Sequence, residues 1–416
     1  MATSPRQHPW AALQHRNFAL LAGGQLVSQI GSGMQTIVVA WQIYELTNSA
    51  LSVGLTGLAR AIPVIVFSLV GGVVADAVDR RKLLVVTQSL AMASAIVLGV
   101  LTGLGVIAPW MIYLITFVNG AATSFDSPAR SALLPSLVPE ERLNNAVSLL
   151  IVIRHTGSIL GPAAGGIVVA ATGVTTAYWI NAASFLAIIG ALLVMRIGTI
   201  AGRARRHITP AMLIEGWRFI WGAPVVLTVL SIDFMNTFFA NTRSSLPTFA
   251  RDVFQAGPEG LGMLGSATSV GAVVGIAAAL ALGDVRRKGL GIALCSLGYG
   301  ASVVGFALAP ALIAAAFALG CVGFVDAIND TMNGTLLLTA TPDALRGRVN
   351  SVGIMLTNGG PSLGQLWVGF LVSALGPRIG VGVGGAVVVL FASLLLLFAR
   401  PLIQHGTTQS EPVTSA

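Results

Sequence analysis

Asp326, Asn329, Asp330 and Asn333 fall at i, i+3, i+4 and i+7 inside the apolar run 311–335. That spacing puts all four on one face of a helix. A carboxylate in such a setting is expensive to keep charged, so it is paired, protonated or both. A second stripe, Asp233, Asn236 and Arg243, lies in the run 223–249 at i, i+3 and i+10, again on one face. The first apolar run adds Gln25, Gln29, Gln35 and Gln42, amides that suit an amphipathic ligand.

The chemistry open to these groups is proton uptake and release beside a polar ligand. A proton carrier must be buried, yet reachable from each side in turn. Asp326 and Asp233 lie deeper in their runs than Asp126 and Asp330 do, so Asp326 is the first candidate and Asp233 the second. The competing reading for each acid is a static ion pair, for Asp233 with Arg60, Arg154 or Arg243. Arg154 and His155 sit in the inner half of the fifth run, where a histidine could relay protons or simply hold a hydrogen bond. Trp41, Phe125, Phe234, Phe238 and Phe239 could line an apolar pocket or face lipid.

The elements that must carry these residues follow from composition. Of 416 residues, 55% are hydrophobic and only 9% charged, and the mean hydropathy is +0.85. A water-soluble fold has too little polar material here to cover its surface, whereas a bilayer removes the need. A span needs about 20 apolar residues. Twelve such runs can be read, from 18–43 to 380–400, with Gly173 and Pro310 marking two tight connections. The expected fold class is therefore an all-α membrane protein of twelve transmembrane helices in two six-helix bundles.

Charge tests that map. With the N-terminus in the cytoplasm, 18 of the 23 basic residues fall in inner loops and tails. Only Arg251 and Arg378 fall outside, and Arg60, Arg154 and Arg243 within spans. Such a bias toward one side is the positive-inside pattern and predicts an inner-membrane protein with both termini cytoplasmic. It also accounts for the net charge of +8 without a nucleic-acid partner, since no exposed basic patch with interleaved aromatics occurs. The first run is too long for a signal-peptide core. The two cysteines, Cys295 and Cys321, lie in apolar runs and give no disulfide framework or metal motif. No Walker sequence and no nucleophile elbow is present, so neither ATP-driven transport nor an enzyme is expected. No cofactor is expected.

The chain also repeats itself. Asp76-Ala-Val-Asp79-Arg80-Arg81-Lys82 has a partner in Asp284-Val-Arg286-Arg287-Lys288, and Pro139-Glu-Glu-Arg142 in Pro342-Asp-Ala-Leu-Arg346. At the same offset Gly157 and Gly161 match Gly360 and Gly364. The predicted organisation is a bundle over 1–196, a cytoplasmic linker over 197–222, a second bundle over 223–400 and a tail over 401–416. Two parallel copies are a known carrier plan, with the substrate site at the repeat interface.

Two motifs carry a family resemblance over nearly the whole chain. Gly72-x-x-x-Asp76-x-x-x-Arg80-Arg81 resembles the signature of the major facilitator superfamily between its second and third helices, with Ala77 and Asp79 in place of the usual basic residue and glycine. Gly157-x-x-x-Gly161-Pro162-x-x-Gly165-Gly166 is similar to the antiporter motif of drug:proton exporters. Phe125-Asp-Ser-Pro128-Ala-Arg130 also looks like the drug-efflux and enterobactin-exporter branch. The arginine common in the fourth helix of many such antiporters is missing from Tyr113–Gly120, so its coupling role does not transfer.

The resemblance implies a secondary active exporter of small amphipathic molecules working by proton antiport. Its partners would be a small-molecule substrate, protons and lipid, and a monomer would suffice. It places the first, fourth, seventh and tenth helices around the substrate path. Asp76 would face the N-terminus of the eleventh helix, whose dipole favours an anion. Arg80 would latch onto Asp126, with Asp330 as the second half's counterpart near Arg286 or Arg287. Arg154 is grouped with these gate residues. The glycines of the fifth helix would pack closely, with Gly271 and Gly275 of the eighth at matching spacing. An importer or lipid facilitator on the same fold, or a membrane scaffold without transport, remain the alternatives.

Overall fold

A computed structural model describes residues 10–195, 217–283 and 288–398, and excludes the side chains of 68–77, most of 343–358 and a few isolated positions. Much of the predicted linker, the tail, Arg286 and Arg287 lie outside the described residues, as does the Asp76 side chain. Twelve long helices make up nearly all of the rest. They are α1 (Arg16–Thr47), α2 (Ala50–Ala77), α3 (Arg80–Gly103), α4 (Pro109–Leu133), α5 (Leu143–Thr172) and α6 (Val174–Val194) in the first half. The second half has α7 (Pro224–Phe239), α8 (Gly257–Leu282), α9 (Lys288–Leu308), α10 (Leu312–Ala340), α11 (Asp343–Leu375) and α12 (Pro377–Phe398). Nine of the described helical segments are long and apolar enough to cross a bilayer, the exceptions being α1, α4 and α11. Large apolar side chains stand exposed on the helix faces, Phe317 at 75% and Ile313 at 74% among them. In water such a surface would aggregate; against lipid chains it needs no cover.

Local chemistry sets the helix ends. Asp79 caps α3, its carboxylate accepting from the backbone N–H groups of Arg81 at 2.9 Å and Lys82 at 3.2 Å. Arg81 in turn donates to the carbonyls of Leu192 and Leu193 at the end of α6, groups a helix C-terminus leaves unpaired. Gly173 and Gly376 join α5 to α6 and α11 to α12 with φ of +87° and +83°. A side chain is strained there, so glycine permits both tight corners. Their separation equals that of Gly157 and Gly360, which extends the sequence repeat to backbone conformation.

The seventh span is where expectation and structure part. The sequence predicts one helix over 223–249; the structure ends α7 at Phe239 and continues, after Ala240–Thr242, in short turns through a π-helical segment Phe249–Val253. Asn241 holds the break. Its Nδ2 donates to the carbonyl of Pro361 on α11 at 3.0 Å, and its Oδ1 accepts from Arg243 N at 3.0 Å. Arg243 therefore does not share a helix face with Asp233 by periodicity.

The chain forms two compact units that cut across the sequence halves. One contains residues 1–48, 59–207 and 257–266, and the other contains 49–58, 208–256 and 267–416. Within the first unit, α5 packs along α1 and against the start of α8. A Cβ on Gly161 would meet Gly33 Cα of α1 at 2.7 Å, and one on Gly166 would meet Gly262 Cα of α8 at 2.9 Å. Ser266 Oγ of α8 donates to Ile159 O at 2.7 Å. This corrects the expected pairing: Gly161 packs on α1, the α8 partners of α5 are Gly262 and Gly265, and Gly271 and Gly275 lie against Gly320 and Phe324 of α10. In the second unit the start of α2 meets α11 in the equivalent way, Gly54 against Gln365 and Gly369 against Ala50, with Leu51 N donating to Ser373 Oγ at 3.0 Å.

Gly166→Leu is expected to lower the thermal midpoint of the purified protein in detergent, at a cost of about 1–3 kcal/mol from overpacking. Gly190→Leu, where a Cβ meets nothing within 4 Å, should leave the midpoint unchanged. Equal midpoints for the two variants would refute the close α5–α8 packing.

Candidate functional site

The second unit gathers most of the predicted polar residues. Asp326 and Asp330 on α10, Asp233 on α7 and Arg243 just past the α7 break act on one another electrostatically. The break, not helical periodicity, delivers Arg243 to this group. Asp326 and Asp233 are half-buried, and Asp330 is exposed. Asp326, Asp330, Asp233 and Arg243 thus form one group of interacting charges, and an apolar surround makes such acids costly to keep ionised.

Sequence reasoning missed two members of this neighbourhood, both on α9. Tyr299, 8% exposed, lies in the field of Asp326, Arg243, Asp233 and Asp330. Ser296 donates from Oγ to Asn236 Oδ1 at 2.7 Å. The available signal was a tyrosine and a serine three residues apart in an otherwise apolar run, which the stripes on α7 and α10 overshadowed. Asn329 is 1% exposed, and neither its Nδ2 nor its Oδ1 has a partner among the described residues. Asn236 Nδ2 and Asn333 Oδ1 are also buried without one. Buried amides left this way are rare and costly.

The aromatic residues of α7 pack on one another and on α11. Phe234 stacks on Phe238 with centroids 5.1 Å apart, and Phe238 stacks on Trp367 of α11 at 6.0 Å. Phe239 closes edge-on to both. These rings hold α7 to α11.

In the first unit the predicted latch takes another form. Asp126 pairs with Arg130 one turn later on α4, Nη2 to Oδ2 at 2.7 Å, both side chains 17% exposed. Its Oδ1 accepts from Gln88 Nε2 at 2.7 Å and from Thr87 Oγ1 at 3.1 Å, both on α3. Arg130 Nη1 donates to Gln25 Oε1 at 2.7 Å. Arg80 points elsewhere, donating to the Ala132 carbonyl near the end of α4 at 3.1 Å. The expected Arg80–Asp126 pair is thus replaced by a network joining α1, α3 and α4. Both Asp126 oxygens are already occupied, and the last-turn carbonyls of α4 need a donor.

The α1 glutamines are likewise engaged with protein. Gln35 Oε1 accepts from Asn181 Nδ2, and Gln42 Oε1 accepts from the Tyr178 hydroxyl at 2.6 Å while its Nε2 donates to Thr102 Oγ1 at 2.9 Å. Gln29 packs against Gly157. Gln25, Gln35 and Gln42 thus tie α1 to its neighbours. Arg154 is exposed on α5, and Pro162 and Gly165 face α8 and α1 respectively.

The helical architecture is that of a multi-pass membrane protein, and the family comparison places it among transporters of the major facilitator superfamily. The chain belongs to the family described as transmembrane secretion effector, whose model matches residues 7–415. An enterobactin exporter, EntS, of Salmonella paratyphi A is 27% identical over 403 residues, covering 97% of this chain and 96% of the relative. The EntS of Escherichia coli O81 is 27% identical over 401 residues, 96% of each. Among solved structures, a peptide transporter POT superposes with a TM-score of 0.76 at 13% identity, covering 93% of this chain and 94% of that one. A bacterial homologue of the human lysosomal transporter Spinster gives 0.73 at 14%, covering 94% and 98%. These likenesses show the fold. The family and relatives are transporters rather than enzymes.

Arg130→Ala removes the partner of Asp126 and of Gln25 together, and should destabilise the protein by about 2 kcal/mol, between the values for exposed and fully buried pairs. Arg80→Ala should cost less, because Asp126 keeps its partners. Thermal melting of both variants in detergent checks the order; the reverse order would restore the Arg80 latch.

Proposed function

We propose that the protein is a proton-driven exporter of small amphipathic molecules, with siderophore-like compounds the first class to test. The observation that carries this reading is the group of Asp326, Asp330, Asp233 and Arg243 acting on one another within the second unit. Ionisable groups at such depth are costly and mark ion or proton pathways. The relatives named as enterobactin exporters favour export and suggest the cargo class. The basic-residue bias supports cytoplasmic termini.

In this reading Asp326 is the carrier. Its carboxylate accepts a proton when open to the outside and gives it up when open to the inside. Between those events the neutral acid lowers the cost of rearranging α7 and α10. Arg243 and Asp233 compensate one another when Asp326 is neutral. Asp330, the more accessible acid, exchanges protons with water first. The Asp126–Arg130 network holds α1, α3 and α4 together as one body.

The test is a siderophore and drug sensitivity panel in an efflux-deficient host, followed by flux of any compound that scores into everted vesicles. Wild type should raise tolerance and drive uptake into everted vesicles when an inward-acid pH gradient is imposed. Asp326→Asn should reduce that flux to the level of empty vesicles while keeping equilibrium binding of the compound. Flux unchanged by Asp326→Asn would remove Asp326 from the coupling role. Flux present only in right-side-out vesicles would reverse the direction.

A further inference from the structure

We propose that Asn236 of α7 and Asn329 of α10, with Ser296 of α9 behind them and Asn333 at one end, form an internal water-binding site in the second unit. The site is independent of the coupling role given to Asp326 and stands whether or not that role does.

Contacts among three helices place these residues together. Ile292 of α9 packs in one apolar cluster with Val229 and Ile232 of α7 and Leu336 of α10, and Met332 of α10 lies against it. A Cβ on Gly291 would meet Met332 Sδ at 2.8 Å, and one on Gly298 would meet Val325 Cγ2 at 3.5 Å. Met332 and Val325 therefore mark the face of α10 turned to α9, and the two helices run antiparallel. Asn329 stands between them, four residues after Val325 and three before Met332, on that same face. One turn along from the apolar cluster, Ile232 gives way to Asn236 and Ile292 to Ser296. The bond from Ser296 Oγ to Asn236 Oδ1 at 2.7 Å closes α7 onto α9 at this level. An apolar layer is thus followed by a polar one. On α9 that layer is met by Ala293, Ser296 and Gly298, all small, and a small wall leaves the room a single water needs.

The unmet hydrogen bonds identify the guest. Asn236 and Asn329 are each 1% exposed and Asn333 is 6% exposed. Among the described residues, the Nδ2 groups of Asn236 and Asn329 lack an acceptor, and the Oδ1 atoms of Asn329 and Asn333 lack a donor. Turning the amides over does not cure this. A flipped Asn329 exchanges its two ends and satisfies neither. A flipped Asn236 would make Ser296 Oγ an acceptor and leave its own Oδ1 unmet. The inventory is two donors against two acceptors. A cation would face the amide N–H groups and an anion the carbonyl oxygens, whereas water gives two hydrogen bonds and accepts two. Amides this deeply buried are reached by water and not by a larger molecule, and an internal water bonded to several such groups removes the cost of burying them. The site lies one turn along α10 from Asp326.

The test needs no cargo. Protein labelled with 15N-asparagine is placed in liposomes, and proton-detected solid-state NMR records transfer of magnetisation from water to the side-chain amides. Loss of a resonance in Asn236→Leu, Asn329→Leu and Asn181→Leu assigns each signal. Asn181 is the internal control, since it is equally buried but its Nδ2 donates to Gln35 and its Oδ1 accepts from Ser184. Wild type should show transfer to the Nδ2 groups of both Asn236 and Asn329, and none above background to Asn181. In Asn329→Leu, checked by thermal melting to be folded, transfer to Asn236 should fall to the level of Asn181, because the two amides hold the same water. Transfer in wild type that is absent from Asn236, from Asn329 or from both overturns the proposal. So does transfer to Asn236 that persists undiminished in Asn329→Leu. If that variant does not fold, the wild-type spectrum alone decides. None of these outcomes bears on the role of Asp326, which the flux assay tests separately.

Discussion

A membrane-spanning helix cannot leave a polar group to water, and this governs the structure more than any other constraint. Each amide, hydroxyl or charge on a span must find its partner within the protein. The partners then dictate which helices pack and how they are oriented. Gln42 finds Tyr178 and Thr102, Asp126 finds Gln88, Thr87 and Arg130, and Asn236 finds Ser296. With no hydrophobic drive between helices in lipid, these bonds and the close approach at small residues take over the work of a core. Against this background an orphan such as Asn329 stands out as a group whose retention needs a reason other than stability.

The same constraint explains what could be read from sequence. The twelve helices and the fold class were legible because the bilayer filters for apolar runs of fixed length. The polar stripe of α10 was legible because periodicity survives wherever a helix is regular. Partner choice was not. Nothing in the spacing says that Asp126 closes on Arg130 a turn away while Arg80 turns to the Ala132 carbonyl, because both arrangements satisfy the same inventory of charges. The partners of the α1 glutamines on α3, α4 and α6 are likewise invisible in the spacing. Ser296 and Tyr299 of α9 were overshadowed by the denser polar stripes of α7 and α10.

Glycine placement supplies the second layer. The fifth helix carries Gly157, Gly161, Gly165 and Gly166, and the sequence indicates close packing without saying against what. The structure divides them by a single step around the helix: three meet α1, and Gly166 meets α8. The second unit repeats the idea with α2 on α11. A duplicated chain has thus kept one packing solution in two places while its polar residues diverged. The first unit holds the Asp126–Arg130 network and the second the group of Asp326, Asp330, Asp233 and Arg243.

The break in α7 has a consequence for how the protein is made. Its regular part, 16 residues long, rises only about 24 Å, short of the roughly 30 Å of a hydrocarbon core. The irregular backbone that completes the span is held by the Pro361 carbonyl on α11 and by the close approach of Gly364 and Gly384. Those supports are synthesised more than a hundred residues later. During synthesis, then, the seventh span enters the bilayer before the groups that satisfy its backbone exist. It must wait as a loosely held segment, and its completion is an event of the chain's last helices rather than of its own.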